Sequence, residues 1–197
     1  MIDLDRLWLR TLEDVVNRAA HEVKDSLNGV SLNLEVIRSR SSAAYASAES
    51  FSAFAESATE QLDHLSARTE AVLFLARPAR EPADVAVTLT HLASLLVPTA
   101  KSEGGSLVVE GHATSAPTAA PGQATRLALA AGLLLLIKEG GCGRCRLDVT
   151  NEIVVRFSHE SAAACRLDPT IAKAIAEHSI TNERSGMDLI LRFPGYS

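Results

Sequence analysis

His21 stands in the run Ala20-His21-Glu22-Val23-Lys24-Asp25-Ser26-Leu27-Asn28-Gly29-Val30. A neutral imidazole is a competent nucleophile near pH 7, and this one is set among charged neighbours. Apolar residues around it fall at Leu12, Val16, Ala19, Val23, Leu27, Val30, Leu34 and Ile37. That spacing is the stripe of an amphipathic helix with one local stutter. At about 100° per residue, His21 lies about 140–200° from Val16, Ala19 and Val23, which turns it to solvent. Its neighbours three and four residues away on the same face are Asn17, Arg18, Lys24 and Asp25. Arg18 and Lys24 would offset the charge of a phosphoryl group carried on the ring. Spacing alone permits that chemistry and does not select it. The plainer alternative is a surface histidine on an amphipathic helix.

The other reactive residue types make weaker patterns. Cys142 and Cys145 are closely spaced and Cys165 is the third cysteine. Zinc needs four ligands, no second close pair exists, and an odd count in a cytosolic chain reads as reduced thiols. His64, His91, His112, His159 and His178 are scattered without metal spacing and read as surface residues. Ser158-His159-Glu160 has no nucleophile elbow around it, so it reads as structure, not as a hydrolytic site.

The elements that must position His21 follow from periodicity. Leu4 to about Ser39 reads as one helix, and Ser39-Arg40-Ser41-Ser42 as a turn. A second helix runs from about Ala44 to Ala76, with Phe51, Ala55, Ala58, Leu62, Leu65, Thr69, Val72 and Ala76 at alternating four and three steps. That is a heptad seam, and two such helices joined by a short turn make an antiparallel hairpin. A lone hairpin leaves much of each stripe wet, so a homodimeric four-helix bundle is expected. Pro78 and Pro82 stop the helix and stiffen the junction Arg77-Pro78-Ala79-Arg80-Glu81-Pro82.

Beyond the junction the pattern mixes helix and strand. Helices are predicted over 83–99, 122–138 and 168–177, the last with Asp168 as N-cap and Pro169 at its first position. Strands are predicted over 106–110, 144–149, 153–157 and 188–193. Residues 112–121 read as a small-residue loop, and Gly140-Gly141-Cys142-Gly143 as a helix stop and turn. The order fits an α/β sandwich with helices on one sheet face. The fold class is therefore α+β, with a hairpin domain over 1–77, a linker over 78–82 and an α/β domain over 83–197.

Composition narrows the class further. The chain has 197 residues, 47% hydrophobic and only 4% aromatic, with a net charge of −5. A mildly acidic balance argues against nucleic-acid or anionic-membrane binding. The start lacks a basic then apolar leader, and the apolar run from Leu127 to Ile137 is short of the about 20 residues a bilayer span needs. A cytoplasmic protein with no membrane partner is expected.

His21, Glu22, Val23, Lys24, Leu27, Asn28 and Val30 match the phosphoacceptor box of bacterial sensor histidine kinases, His-Glu-hydrophobic-Arg/Lys-x-Pro-Leu-x-x-hydrophobic. Ser26 stands where that family commonly has proline. The order of elements after the junction looks like the family's ATP-binding domain, but its motifs are absent. Ala131 and Leu135 fall at the positions of the family's asparagine box, and neither can ligate a hard cation. The stretch Arg156-Phe157-Ser158-His159-Glu160-Ser161-Ala162 lacks the Asp-x-Gly-x-Gly box that contacts adenine.

The chain thus resembles histidine phosphotransferases of the ChpT type, which keep the kinase hairpin and a degenerate ATPase-like domain. The resemblance implies transfer between His21 and the aspartyl phosphate of response-regulator receiver domains, fed by an upstream hybrid histidine kinase. It implies that Glu22 orients or deprotonates the imidazole, with Arg18 and Lys24 stabilising charge. Asn17, Asp25 and Asn28 would meet the receiver, which would bring the Mg²⁺. No intrinsic cofactor or metal is implied. Competing readings are a divergent kinase that autophosphorylates His21, and a non-catalytic pseudokinase dimer that occupies regulators.

Overall fold

The structure, a computed structural model, describes residues 3–41, 48–79, 81–111, 113–138, 140–161 and 166–195. Ser42 of the Ser-rich segment, Arg80 of the junction, His112 and Cys165 lie outside the described residues, while Ser39, Arg40 and Ser41, expected in the turn, are still helical.

Helix α1 spans Leu4–Ser41 and α2 spans Ala48–Ala76, packed side by side as the hairpin. Facing pairs place them antiparallel. Asn33 Nδ2 donates to Ser57 Oγ at 3.0 Å, and Arg68 reaches Ser26. The seam is rotated from the apolar stripes. Trp8, Val15, Ala19, Ser26 and Val30 are buried on α1, and Ala58, Arg68, Ala71 and Leu75 on α2. Leu27, Leu34 and Leu62, expected on the seam, are 47%, 55% and 49% exposed within this single chain. The stripe method selects the most apolar face, whereas the hairpin buries Ser26 and Arg68 because they bond to each other.

After the junction come β1 (Ala83–Asp84), α3 (Val85–Ser102), β2 (Ser106–Glu110), β3 (Pro117–Thr118) and α4 (Gly122–Lys138). Then follow β4 (Cys142–Val149), β5 (Ile153–His159), α5 (Pro169–Ala176), β6 (Thr181–Ser185) and β7 (Asp188–Phe193). The main sheet has the order β2-β4-β5-β7-β6, with β2 parallel to β4 and the rest antiparallel. Alternation sorts its faces. Leu107, Cys145, Leu147, Val155, Phe157, Leu189 and Leu191 are buried against the helices. Arg144, Arg146, Arg156 and Arg192 lie on the other face and pair with Glu110, Asp148, Asp188 and Glu152. The fold is α+β, as the pattern predicts.

Three short strands were not legible in the sequence. Ala83 and Asp84, expected as the start of a helix, form β1 because Asp84 caps α3 from outside it, accepting from the Val87 amide at 3.0 Å. Their partner β3 lies in the stretch read as a loop, and β6 is exposed throughout, with no apolar alternation to signal it. Gly140 and Gly141 both take positive φ, 66° and 78°, which fits the helix stop. Asp168 caps α5 as predicted, accepting from the amides of Thr170 and Ile171 at 2.8 and 3.3 Å. Those bonds, the Thr170 amide first, hold its carboxyl below the usual range.

One buried core joins the base of the hairpin to the sandwich. Trp8, Val15, Ala19, Ala71 and Leu75 share it with Leu92, Leu127, Leu133 and Phe157. Arg126 on α4 strengthens the junction. Its buried guanidinium donates to the carbonyls of Phe74, Leu75 and Arg77 at 3.0, 3.2 and 2.7 Å. Carbonyls at a helix C-terminus lack intrahelical partners and sit at the negative end of the dipole, so a cation there satisfies both needs.

Candidate functional site

His21 lies midway along α1 with its side chain 70% exposed, on the solvent face the spacing predicts. Its Nε2 is 3.3 Å from Asp25 Oδ2, one helical turn on. Asp25 is itself 55% exposed, so this pair is weak and opens readily. Asn17, Lys24 and Asn28 are exposed on the same stripe, at about 60° or less from His21. Lys24 makes no ion pair among the described residues. Arg18 is differently placed. Its guanidinium bonds to Asp14 at 3.1 Å and to both carboxylate oxygens of Glu103 at 2.7 and 2.9 Å, tying α1 to the turn after α3.

Glu22 faces partly inward. Its Oε1 is buried without a hydrogen-bond partner among the described residues. Beneath it, Arg68 Nη1 donates to the Glu22 carbonyl at 3.0 Å and to Ser26 Oγ, while Ser26 Oγ donates to the same carbonyl at 2.9 Å. Sequence reading missed Arg68, because no local spacing relates it to a residue 46 positions earlier on another helix.

A groove of about 500 Å³ opens between α1, α4 and α5. Ala131 and Leu135 line it, together with Arg10, Asp14, Lys138 and Asp168. Its two carboxylates are engaged, Asp14 with Arg18 at 3.1 Å and with Lys138 at 3.5 Å, and Asp168 with the α5 amides. Among the described residues, no group of three or more His, Cys, Asp or Glu side chains gathers to hold a metal. Cys145 is buried in the sheet, where burial pushes its thiol pKa up, and Cys142 is exposed. His159, read from the sequence as a surface residue, is instead buried at the end of β5, because both ring nitrogens find backbone partners: Nδ1 accepts from the Ser161 amide at 3.0 Å, so Nε2–H donates to the Gly140 carbonyl at 2.6 Å.

No family model and no curated protein matches the chain. Solved structures do. The chain is similar to the Acinetobacter baumannii histidine kinase AdeS, at 13% identity and a TM-score of 0.44, over 90% of this chain and 98% of that one. It is also similar to full-length ShkA, solved in complex with AMPPNP, at 15% identity and a TM-score of 0.42. That match covers 92% of this chain and 45% of ShkA. No helix among the described residues is long and apolar enough to cross a membrane.

Proposed function

We propose that the protein is a cytoplasmic, homodimeric histidine phosphotransferase of a two-component phosphorelay, of the ChpT type. His21 takes a phosphoryl group from the aspartate of a response-regulator receiver domain, or returns it, without ATP. The observation that carries the reading is His21 itself: an exposed imidazole on a rigid helix, in a phosphoacceptor box, with Asn17, Lys24, Asp25 and Asn28 beside it. In the step, the acyl-phosphate P–O bond breaks as a lone pair on an imidazole nitrogen forms the P–N bond, and the receiver's carboxylate leaves. The other ring nitrogen keeps its proton, and the ring turns cationic beside Asp25 and Glu22. Lys24 offsets the phosphoryl charge, and the receiver supplies Mg²⁺. Leu27, Leu34 and Leu62, left wet in one chain, support a second copy closing the four-helix bundle. Residues 1–77 carry the acceptor, 78–82 link, and 83–197 form the degenerate ATPase-like part. The test is incubation with phosphorylated receiver domains, following acid-labile label on this chain.

The kinase reading has one observation in its favour. Asp14, on the groove wall, lies seven residues before His21 on the same stripe, about 10 Å along the helix. A nucleotide in the groove would therefore sit near the acceptor. Against it stand Ala131 and Leu135, which offer no oxygen, and the engaged Asp14 and Asp168. We expect no ATP binding at millimolar concentration with Mg²⁺. Calorimetry showing a stoichiometric site would replace the phosphotransferase with a kinase.

Asp25 bears on hydrolysis of the regulator's phosphate. A carboxylate beside His21 repels an anionic phosphoryl group and a water held against it. Weak phosphatase activity is expected, with faster hydrolysis in Asp25→Asn. Measuring loss of regulator phosphate in the His21→Ala background separates hydrolysis from transfer. Equal rates there would show the charge argument to be wrong.

A further inference from the structure

Arg68 is buried in the seam of the hairpin, at 9% exposure, and no carboxylate pairs with it among the described residues. A guanidinium removed from water without an anion is unfavourable, and so is a carboxylate oxygen without a donor. Both occur together here, for Arg68 bonds to the carbonyl of Glu22, whose own Oε1 is buried and unpartnered. The Glu22 carbonyl also receives the Ser26 hydroxyl, and the helix pattern sends it the Ser26 amide. A carbonyl has two lone pairs, so these donors share it and leave the turn from Glu22 to Ser26 little freedom. Arg68 meets that turn from the side away from the exposed His21 stripe, where a partner docked on His21 does not reach it.

We propose that Arg68 is a positioning residue for phosphoryl acceptance. From α2 it clamps the Glu22 carbonyl and the Ser26 hydroxyl, which fixes the turn that carries His21 and the Glu22 carboxylate as the phosphoryl group arrives and leaves. The proposal rests on His21 being the acceptor. It places the effect of Arg68 on the rate within the complex and not on docking, since Arg68 is covered by the hairpin. Misplacing reacting groups by about 1 Å can lower a rate by about a hundredfold.

The experiment uses the full chain and a receiver domain charged with acetyl phosphate, in single-turnover transfer at varied receiver concentration. Arg68→Met is expected to lower the saturating rate about tenfold or more. Half-saturation should stay within about twofold, and the melting temperature should not fall, because an apolar side chain replaces a buried unpaired cation. Arg68→Lys, which keeps the charge and one donor, should recover most of the rate, and Ser26→Ala should fall between. Amide exchange at residues 22–26 should quicken in Arg68→Met relative to the rest of α1. A saturating rate near wild type, a weaker half-saturation at unchanged rate, or a loss only in step with the melting temperature would each overturn the proposal. If Arg68→Met does not fold, Ser26→Ala with an unchanged rate does the same. A wild-type chain that takes no label from any receiver defeats the phosphotransfer reading instead, and the exchange measurement then decides the clamp separately.

Discussion

Replacing His21 with alanine is expected to abolish phosphoryl acceptance while leaving the fold intact. In the proposed function the imidazole is the nucleophile, so its loss would remove the bond-forming atom. Asp25 and Lys24 are the nearest charged side chains on the stripe; a phosphorylated carboxylate would be a base-labile acyl phosphate, unlike the base-stable phosphoimidazole, and an ammonium group at neutral pH has no free lone pair to attack phosphorus. The fold is indifferent because the side chain is 70% exposed and its one polar contact, with Asp25 at 3.3 Å, is at the surface. Surface substitutions of this kind change stability by about 0.5 kcal/mol or less. The measurement is label transfer from a phosphorylated receiver, with circular dichroism and a thermal melt on the same preparation. Label retained on His21→Ala would place the acceptor elsewhere.

The largest stability effect is expected at the contact between α4 and the sheet. Phe157 on β5 is 1% exposed, and its ring lies against Gly132 of α4, where an added Cβ would come 2.5 Å from the ring. Phe157→Ala is expected to cost about 3–5 kcal/mol through lost burial and the cavity left behind. That is a large share of the about 5–15 kcal/mol a domain has. Gly132→Ala is the sharper test, because two principles predict opposite signs. Helix propensity favours alanine by about 1 kcal/mol, whereas forcing a methyl into a rigid buried ring costs about 1–3 kcal/mol. The ring is held by the strand and cannot turn aside freely, so net destabilisation is expected. The double variant Gly132→Ala/Phe157→Ala should be less destabilised than the sum, since the cavity admits the methyl. Urea unfolding of the three proteins checks both statements, and a Gly132→Ala protein more stable than wild type would show that the packing yields.

Long helices were the most legible part of the fold. α1 carries many turns of one period, and α4, apolar nearly all round, runs from Gly122 to Lys138 as predicted. β7 was legible because Asp188–Phe193 ends at a proline after an apolar run. β6 was not, because all five of its residues face solvent and its pairing is supplied by β7. On the site, the solvent side of α1 could be derived from angle alone, so the placement of His21, Asn17, Lys24, Asp25 and Asn28 on one stripe follows from spacing. What each charge pairs with could not. Sequence spacing put Arg18 and Asp25 on the same face as His21. The structure gives Arg18 to Asp14 and Glu103 and leaves Asp25 to His21.

By itself the sequence determined the helix that presents His21 and the α+β order of elements, because these depend on residue type and on a period repeated over many turns. The tertiary structure decided the seam of the hairpin, the tie of Arg126 to the end of α2 and the clamp of Arg68 beneath Glu22. The Arg126 tie and the Arg68 clamp join residues 42 to 52 positions apart through three and two hydrogen bonds. Such bonds leave no periodic trace, since a buried arginine reads as a surface residue until the carbonyls that satisfy it are brought alongside.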